Sequence, residues 1–258
     1  MVEQYLSNVH QVAEQHGAVP LLVCLCGSRA FGYAAPHSDY DVRFVYAYPL
    51  SRYFTLTPPP QELRLKDADV VGYELGKFLA MCAGNGWNAH EILHSPVLYE
   101  RAGVVAELRA LAASVFSPPE IVAALLSGVK TYQRRMAHID GADSDATDKR
   151  VKWALGCLHH VMAACYVAEH GEVYPIPIAE LASAVLPHIL PQVERLVAWR
   201  AGHLTLSSES LAQTVATVQQ AADSLGDSLL QAELTPAVAA NTTPLEAFYL
   251  KVAQQLNK

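Results

Sequence analysis

The sequence predicts an α+β first half, about residues 1–100, followed by an all-helical second half, 101–258. Three observations carry this expectation. Two short runs, LLVCLC at 21–26 and YDVRFVYAY at 40–48, have the length and the apolar, β-branched and aromatic content of strands. From Leu75 onward the apolar residues recur at helical spacing. Pro96, Pro118, Pro119, Pro175, Pro177, Pro187 and Pro191 then punctuate helices rather than strands.

Taken in order, Tyr5, Leu6, Val9, Val12 and Ala13 form one face of a helix over 3–16, which Gly17 and Pro20 stop. The run 21–26, wholly apolar and closed by Gly27, reads as a central strand buried on both faces. A glycine-rich segment, GSRAFGYAAPHS, follows, and the strand at 40–48 ends at Pro49. Residues 62–73 read as a further strand or hairpin. The clearest helix is 148–171, with Val151, Leu155, Leu158, Met162 and Cys165 on one stripe, Asp148 as N-cap and Gly171 as stop. Near the end, Thr243-Pro244-Leu245-Glu246 has capping-box spacing with proline in the first turn.

With 258 residues, 52% hydrophobic, and a net charge of −7, the chain has enough apolar content for a packed core and is not expected to be disordered. The acidic balance excludes a broad basic surface that clamps duplex DNA, although a local basic pocket fits within it. No stretch nears the roughly 20 apolar residues of a bilayer span, and Glu3 and Glu14 sit where a secretory leader would be basic and then apolar. A cytoplasmic protein is therefore expected, with no membrane partner. Cys24, Cys26, Cys82, Cys157 and Cys165, an odd set inside apolar runs, read as reduced buried thiols.

The chemistry concentrates between residues 27 and 41. Gly27-Ser28 closes the buried strand and opens a helix-like segment, where backbone N–H groups can hold phosphates. Asp39-Tyr40-Asp41 stands at the mouth of the second strand, and the two-residue period puts both carboxylates on one face. Two carboxylates forced together repel each other, and a divalent cation relieves the repulsion. Such oxygen donors suit Mg²⁺, whose octahedron substrate phosphates complete.

This combination of Gly-Ser, a spacer and Asp-x-Asp resembles the signature of the polymerase-beta-type nucleotidyltransferase superfamily. More narrowly, GSRAFGYAAPHSDYDVRFVYAYPLSRY at 27–53 resembles the RlaP-type group, the RNA repair pathway DNA polymerase beta family. Downstream, Asp69-Val-Val-Gly-Tyr-Glu-Leu-Gly-Lys77 is similar to that group's acidic residue followed by Gly-Trp-Asp/Glu-Leu-Arg-Lys. Glu91-Ile-Leu-His-Ser95-Pro96-Val-Leu-Tyr99 is similar to its Glu-Trp-Leu-x-Ser-Pro-Ile-Val-Tyr. Lys152-Trp-Ala-Leu and the Pro175/Pro177 region resemble its C-terminal helical part. Tyr73, Gly76 and Gly86 depart from the pattern, around the acceptor pocket rather than the metal site.

The resemblance implies a nucleotidyltransferase catalytic domain with a polymerase-beta-like mixed sheet, and a helical domain that closes over the nucleotide. It implies transfer of a nucleoside monophosphate from an NTP, such as ATP, to an acceptor hydroxyl. Asp39 and Asp41 would bind two Mg²⁺ ions, with Mn²⁺ as a substitute. A third carboxylate, Asp69 by the family position, with Asp67 and Glu74 as alternatives, would bind the metal beside the acceptor oxygen. Gly27 and Ser28 would hold the β- and γ-phosphates. Arg29 and Arg43 read either as triphosphate or acceptor contacts or as partners that neutralise the Asp cluster. Lys149 and Lys152 are candidate phosphate cations, because a cation in the first turn of a helix is disfavoured unless an anion is near. The family name suggests an RNA end as acceptor, with a protein side chain or a small molecule as alternatives.

Two rival classes stand beside this reading. One is a nucleotide-binding regulatory or antitoxin-like module without turnover. The other is a zinc protease, because His90-Glu91-Ile92-Leu93-His94 matches H-E-x-x-H. Against zinc, Ser95-Pro96 ends the helix at once and no third His follows at a suitable spacing. The acidic segment Asp140, Asp143, Asp145, Asp148 lacks the alternation and glycine of a calcium loop and reads as a solvated loop with helix caps.

Overall fold

The computed structural model describes residues 2–65, 69–141, 143–231 and 240–257. Asp67, one candidate for the third carboxylate, lies outside the described residues. In chain order the elements begin with α1 (Val2–His16), β1 (Val19–Cys26), the short α2 (Gly27–Ala30), β2 (Asp41–Ala47), a 3₁₀ turn (Leu50–Phe54), β3 (Glu62–Arg64) and β4 (Val70–Glu74). Then come α3 (Leu75–Ala83), α4 (Trp87–His94), β5 (Val97–Glu100), α5 (Val105–Ser114), α6 (Pro118–Ala137) and α7 (Ser144–His170). The chain ends with α8 (Ile178–Val185), a 3₁₀ turn (Pro187–Ile189), α9 (Leu190–Arg200), α10 (Ser208–Gln231) and α11 (Thr243–Gln255). Among the described residues no single helix is long and apolar enough to cross a membrane.

The chain divides into two compact units, and neither is one continuous stretch. A sheet unit takes Met1–Gly27, Asp39–Phe116 and Ala239–Lys258; a helical unit takes Ser28–Ser38 and Ser117–Val238. The division therefore differs from the split near residue 100 that composition suggested. Composition tracks helix content, and α5 and α11 are helices that pack on the sheet.

The sheet is mixed, with strand order β3-β4-β2-β1-β5. β1 lies antiparallel to both β2 and β5, and β2 lies parallel to β4. One face carries α1, with Val9 and Ala13 against Val23, Val42, Phe44, Tyr46 and Val70. The other carries α3, α4, α5 and α11, with Leu75, Phe78, Leu93, Leu108, Leu245 and Phe248 against Leu22, Cys24, Cys26 and Val45. Both faces of β1 are thus covered, as an unbroken apolar run requires. All five cysteines are free, and only Cys165 is more than slightly exposed.

In the helical unit, α7 starts four residues earlier than the spacing suggested. Its N-cap is Asp143, which accepts the Ala146 N–H at 2.8 Å, and Gly171 at φ 70° stops it. Asp148 is therefore not the cap. It makes a two-pronged pair with Arg200, Nε–Oδ1 2.9 Å and Nη2–Oδ2 2.9 Å, and Arg200 Nη1 donates to the Tyr33 carbonyl at 2.5 Å. The earlier start also moves Lys152 past the first turn, so the dipole argument for an anion beside it no longer applies. At the chain's end the cap is Thr242, one residue before the expected Thr243.

Candidate active site at the strand ends

Strand register brings the site together. Cys26 pairs with Asp41 across β1 and β2, so Gly27 follows the last paired residue of β1 beside the first residue of β2. Val42 pairs with Val70 across the parallel β2 and β4, and the Val42 N–H donates to the Asp69 carbonyl at 2.9 Å. Gly27, Asp41 and Asp69 therefore stand at one end of three adjacent strands.

Contact there is close. Gly27 has φ +65°, and a Cβ at that position would fall 2.0 Å from Asp41 Oδ2. Only glycine fits, on both counts: the left-handed backbone and the missing volume. The Asp41 and Asp69 carboxyls are themselves within hydrogen-bonding reach. Arg43, two residues along β2 from Asp41, donates through Nη1 to Asp69 Oδ1 at 2.8 Å and to the Asp69 carbonyl at 2.9 Å, while its Nη2 lies 3.6 Å from Asp41 Oδ1. Of the two readings left open for Arg43, the structure displays the neutralising one.

Burial alone would push the Asp69 carboxyl up, but the hydrogen bond with Asp41 and the Arg43 guanidinium outweigh it and hold it below its ordinary value. Asp39 is exposed, just ahead of β2. Glu74 is the N-cap of α3, accepting the Gly76 and Lys77 N–H groups and the Tyr53 hydroxyl at 2.6 Å, as expected of a carboxylate at a helix start. That engagement accounts for Glu74 and leaves Asp69 as the described carboxylate that meets Asp41.

A further carboxylate lies beneath them. Glu91, on α4, is 6% exposed, accepts the Gly27 N–H, and feels both Arg43 and Asp41. Burial pushes its carboxyl up to about 7; the Gly27 hydrogen bond and Arg43 act against the rise, and Asp41 adds to it. In the sequence Glu91 stood both in the family-like Glu91–Tyr99 segment and in the middle of H-E-x-x-H, but not among the candidate site residues. That motif does not assemble a zinc site here. His90 is buried against Phe116, whereas His94 is exposed and its Nδ1 lies 2.8 Å from the His90 carbonyl.

Ser28, Arg29, Lys149 and Lys152 belong to the helical unit. Ser28 is buried and its carbonyl accepts the Tyr33 N–H at 2.9 Å; Arg29 Nη2 donates to the Ser38 carbonyl at 2.6 Å. Lys149 pairs with Asp145 at 2.5 Å, and Lys152 Nζ lies 5.1 Å from the centre of the Trp153 ring. Among the described residues no group of three or more His, Cys, Asp or Glu side chains forms a ready-made metal cage. The oxygen donors of Asp41 and Asp69 nonetheless fit a hard divalent ion that takes its other ligands from substrate.

A glycine turn pressed against carboxylates at the heads of neighbouring strands, on a mixed sheet followed by helices, is the arrangement that the resemblance to the nucleotidyltransferase class implies. The model of one family within that class, "RlaP: RNA repair pathway DNA polymerase beta family", matches residues 1–248, and the chain belongs to that family. A relative from Bacillus subtilis (strain 168), the uncharacterized protein YcgL, is 24% identical over 207 residues, covering 76% of this chain and 75% of its own. The crystal structure of a nucleotidyltransferase-like protein from Exiguobacterium sibiricum 255-15 aligns over 100% of this chain and 81% of that one, at 13% identity and a TM-score of 0.37. Membership of the family supports a transferase in general terms.

Proposed function

We propose that the protein is a metal-dependent nucleotidyltransferase that moves a nucleoside monophosphate from an NTP to an acceptor hydroxyl and releases pyrophosphate. The observation that carries this reading is the double approach to Asp41. The Gly27 backbone presses on one carboxylate oxygen, and the Asp69 carboxyl comes within hydrogen-bonding reach. Two carboxylates held so close call for a positive charge between them, and oxygen donors suit Mg²⁺ or Mn²⁺. Asp41 and Asp69, with Asp39 ahead of the strand, would hold such ions. When bound, they supply charge neutralisation at the transferring phosphorus and acidify the acceptor hydroxyl.

The chain's own part is positioning. Asp69, kept ionised by Arg43, accepts the acceptor's proton on a carboxylate oxygen. In this reading Gly27 and Ser28 hold the β- and γ-phosphates, and the Gly27 N–H serves Glu91. Arg29, Lys149 and Lys152 are the further phosphate contacts of this reading. The family's description supports an RNA end as acceptor, and one strand end needs only a short basic groove, which a net charge of −7 allows.

Arg43 also supports a second reading. A guanidinium that already neutralises both carboxylates suits a nucleotide-binding regulatory module without turnover. One experiment separates the two. Purified protein is incubated with each α-labelled NTP, Mg²⁺ and total cellular RNA or protein, and the destination of the label is followed. Label moved by the wild type and reduced roughly a thousandfold or more in Asp41→Asn supports transfer. Tight NTP binding without label movement supports the regulatory module, and neither binding nor transfer overturns both.

A further inference from the structure

The last two residues of β1, Leu25 and Cys26, and Gly27 just after them are each tied to one short segment, Glu91–Pro96, at the end of α4. The Leu25 N–H donates to the Pro96 carbonyl at 2.9 Å, the Cys26 thiol to the Ser95 hydroxyl at 3.6 Å, and the Gly27 N–H to the Glu91 carboxylate. Leu25 would be held by ordinary strand bonding, and the Cys26 contact is weak. Gly27 differs from both. It has left the ladder and turned to φ +65°, and its amide would be an orphan donor without the carboxylate behind it.

Glu91 is an expensive choice for that place. At 6% exposure its charge is desolvated, and it faces Asp41, a like charge, as well as Arg43. An apolar residue on α4 would pack on β1 at lower cost, as Ile92 and Leu93 do. What an apolar residue cannot do is accept the Gly27 N–H and thereby keep the Gly27 backbone against Asp41 Oδ2.

We propose that Glu91 is a positioning residue for the phosphate-holding turn, its buried carboxylate fixing the left-handed Gly27 against Asp41. The assignment rests on the proposed transfer reaction for its purpose, and on the strand-end geometry for its contact. Glu91 touches neither nucleotide nor acceptor. It acts through Gly27, as a hydrogen-bonded brace on that backbone. The segment Glu91-Ile-Leu-His-Ser95-Pro96 is then a splint for the turn, which accounts for a glutamate in the middle of H-E-x-x-H without any zinc.

The test exploits a unique dipeptide. Cys26-Gly27 is the chain's one Cys-Gly step, so protein labelled with carbonyl-¹³C cysteine and ¹⁵N glycine shows the Gly27 amide as a single filtered resonance. Hydrogen exchange at that amide is compared in wild type, Glu91→Gln and Glu91→Ala, alongside the Kd for Mg-ATP and the kcat and KM for transfer. In Glu91→Ala exchange should rise at least roughly tenfold, the size of one lost charge-assisted bond, and kcat/KM should fall by a similar factor or more. Glu91→Gln keeps a carbonyl acceptor and should recover most of both, a rescue that a merely space-filling role does not predict. An unchanged Gly27 amide in Glu91→Ala overturns the proposal, as does a changed amide with kcat/KM unaltered. Absence of transfer in the wild type overturns the nucleotidyltransferase reading instead. The amide still decides the contact in that case, and the Mg-ATP affinity of Glu91→Ala then decides whether the turn it holds is a nucleotide turn.

Discussion

The end of the sheet and the start of α7 are both crowded with charge, yet they handle it in opposite ways. Around α7 three charged side chains meet close partners. Asp148 meets Arg200 through two bonds, Lys149 meets Asp145 one turn away, and Arg150 Nη2 caps the Ile139 and Gly141 carbonyls. At the strand ends Asp41, Asp69 and the buried Glu91 gather around Arg43, with Arg64 acting on Asp69 from further off. The first arrangement minimises its own electrostatic energy. The second keeps a surplus of negative charge, held there by register and by the Gly27 turn, that a divalent ion and a phosphate can resolve. On the proposed reading, uneven satisfaction rather than charge density marks the working end of the molecule.

The comparison can be broken or sharpened by four variants. The largest effect is expected from Arg200→Ala, because the Arg200 side chain is 1% exposed and its loss strands Asp148 and the Tyr33 carbonyl. Urea unfolding should show a loss of about 3–5 kcal/mol. A loss below about 1 kcal/mol would mean that the helical unit's charges are less interdependent than their geometry implies.

Glu91→Gln comes next, and its effect depends on pH. The folded-state value of Glu91, about 7, lies above its ordinary 4.5, so the folded protein binds more protons between those limits. Stability is therefore full below about pH 4.5 and falls as pH rises toward 7. In EDTA-treated protein the glutamine variant should be more stable than wild type above pH 7, by up to about 3 kcal/mol, with the gap closing toward pH 4.5. A variant less stable at pH 8 than at pH 5, relative to wild type, would refute the assigned sign.

Lys152→Ala is expected to weaken NTP binding by about tenfold, one charge-assisted contact, while leaving Tm near that of wild type. Unchanged affinity in a folded protein would remove Lys152 from the nucleotide contacts. The smallest effect belongs to Lys149→Ala. Its partner is an exposed Asp145 one turn away, and differential scanning calorimetry should detect no shift in Tm.

What was legible in the sequence was whatever is local. The Gly27 turn, Asp41 and the strand beneath them announce themselves within fifteen residues, because a turn type and a two-residue period are short-range facts. Arg43 was legible as a possible neutraliser of the Asp cluster, but not as the residue that holds Asp69 in particular, since Asp69 arrives on a parallel strand 26 residues later. Asp148 looked like a cap because caps are local; its real partner, Arg200, is 52 residues away. Glu91 was named in the family-like segment and in H-E-x-x-H, but its contact with Gly27, 64 residues earlier, is not local and neither pattern shows it. Nor does helical periodicity say which unit a helix joins, and so α11 was grouped with the helices that precede it.

That placement of α11 bears on how the protein is made. Leu245, Phe248 and Val252 supply three nearly fully buried side chains to the core beside α3, each contributing roughly 1.5–3 kcal/mol. They emerge from the ribosome only after the whole of 117–231 has been synthesised. The helical unit can therefore finish folding while the sheet unit, begun first, still shows Leu75, Phe78 and Leu79 on an uncovered face. During that interval the nascent chain carries a sticky surface of its own, and a pause in translation beyond residue 231 prolongs that exposure until α11 arrives.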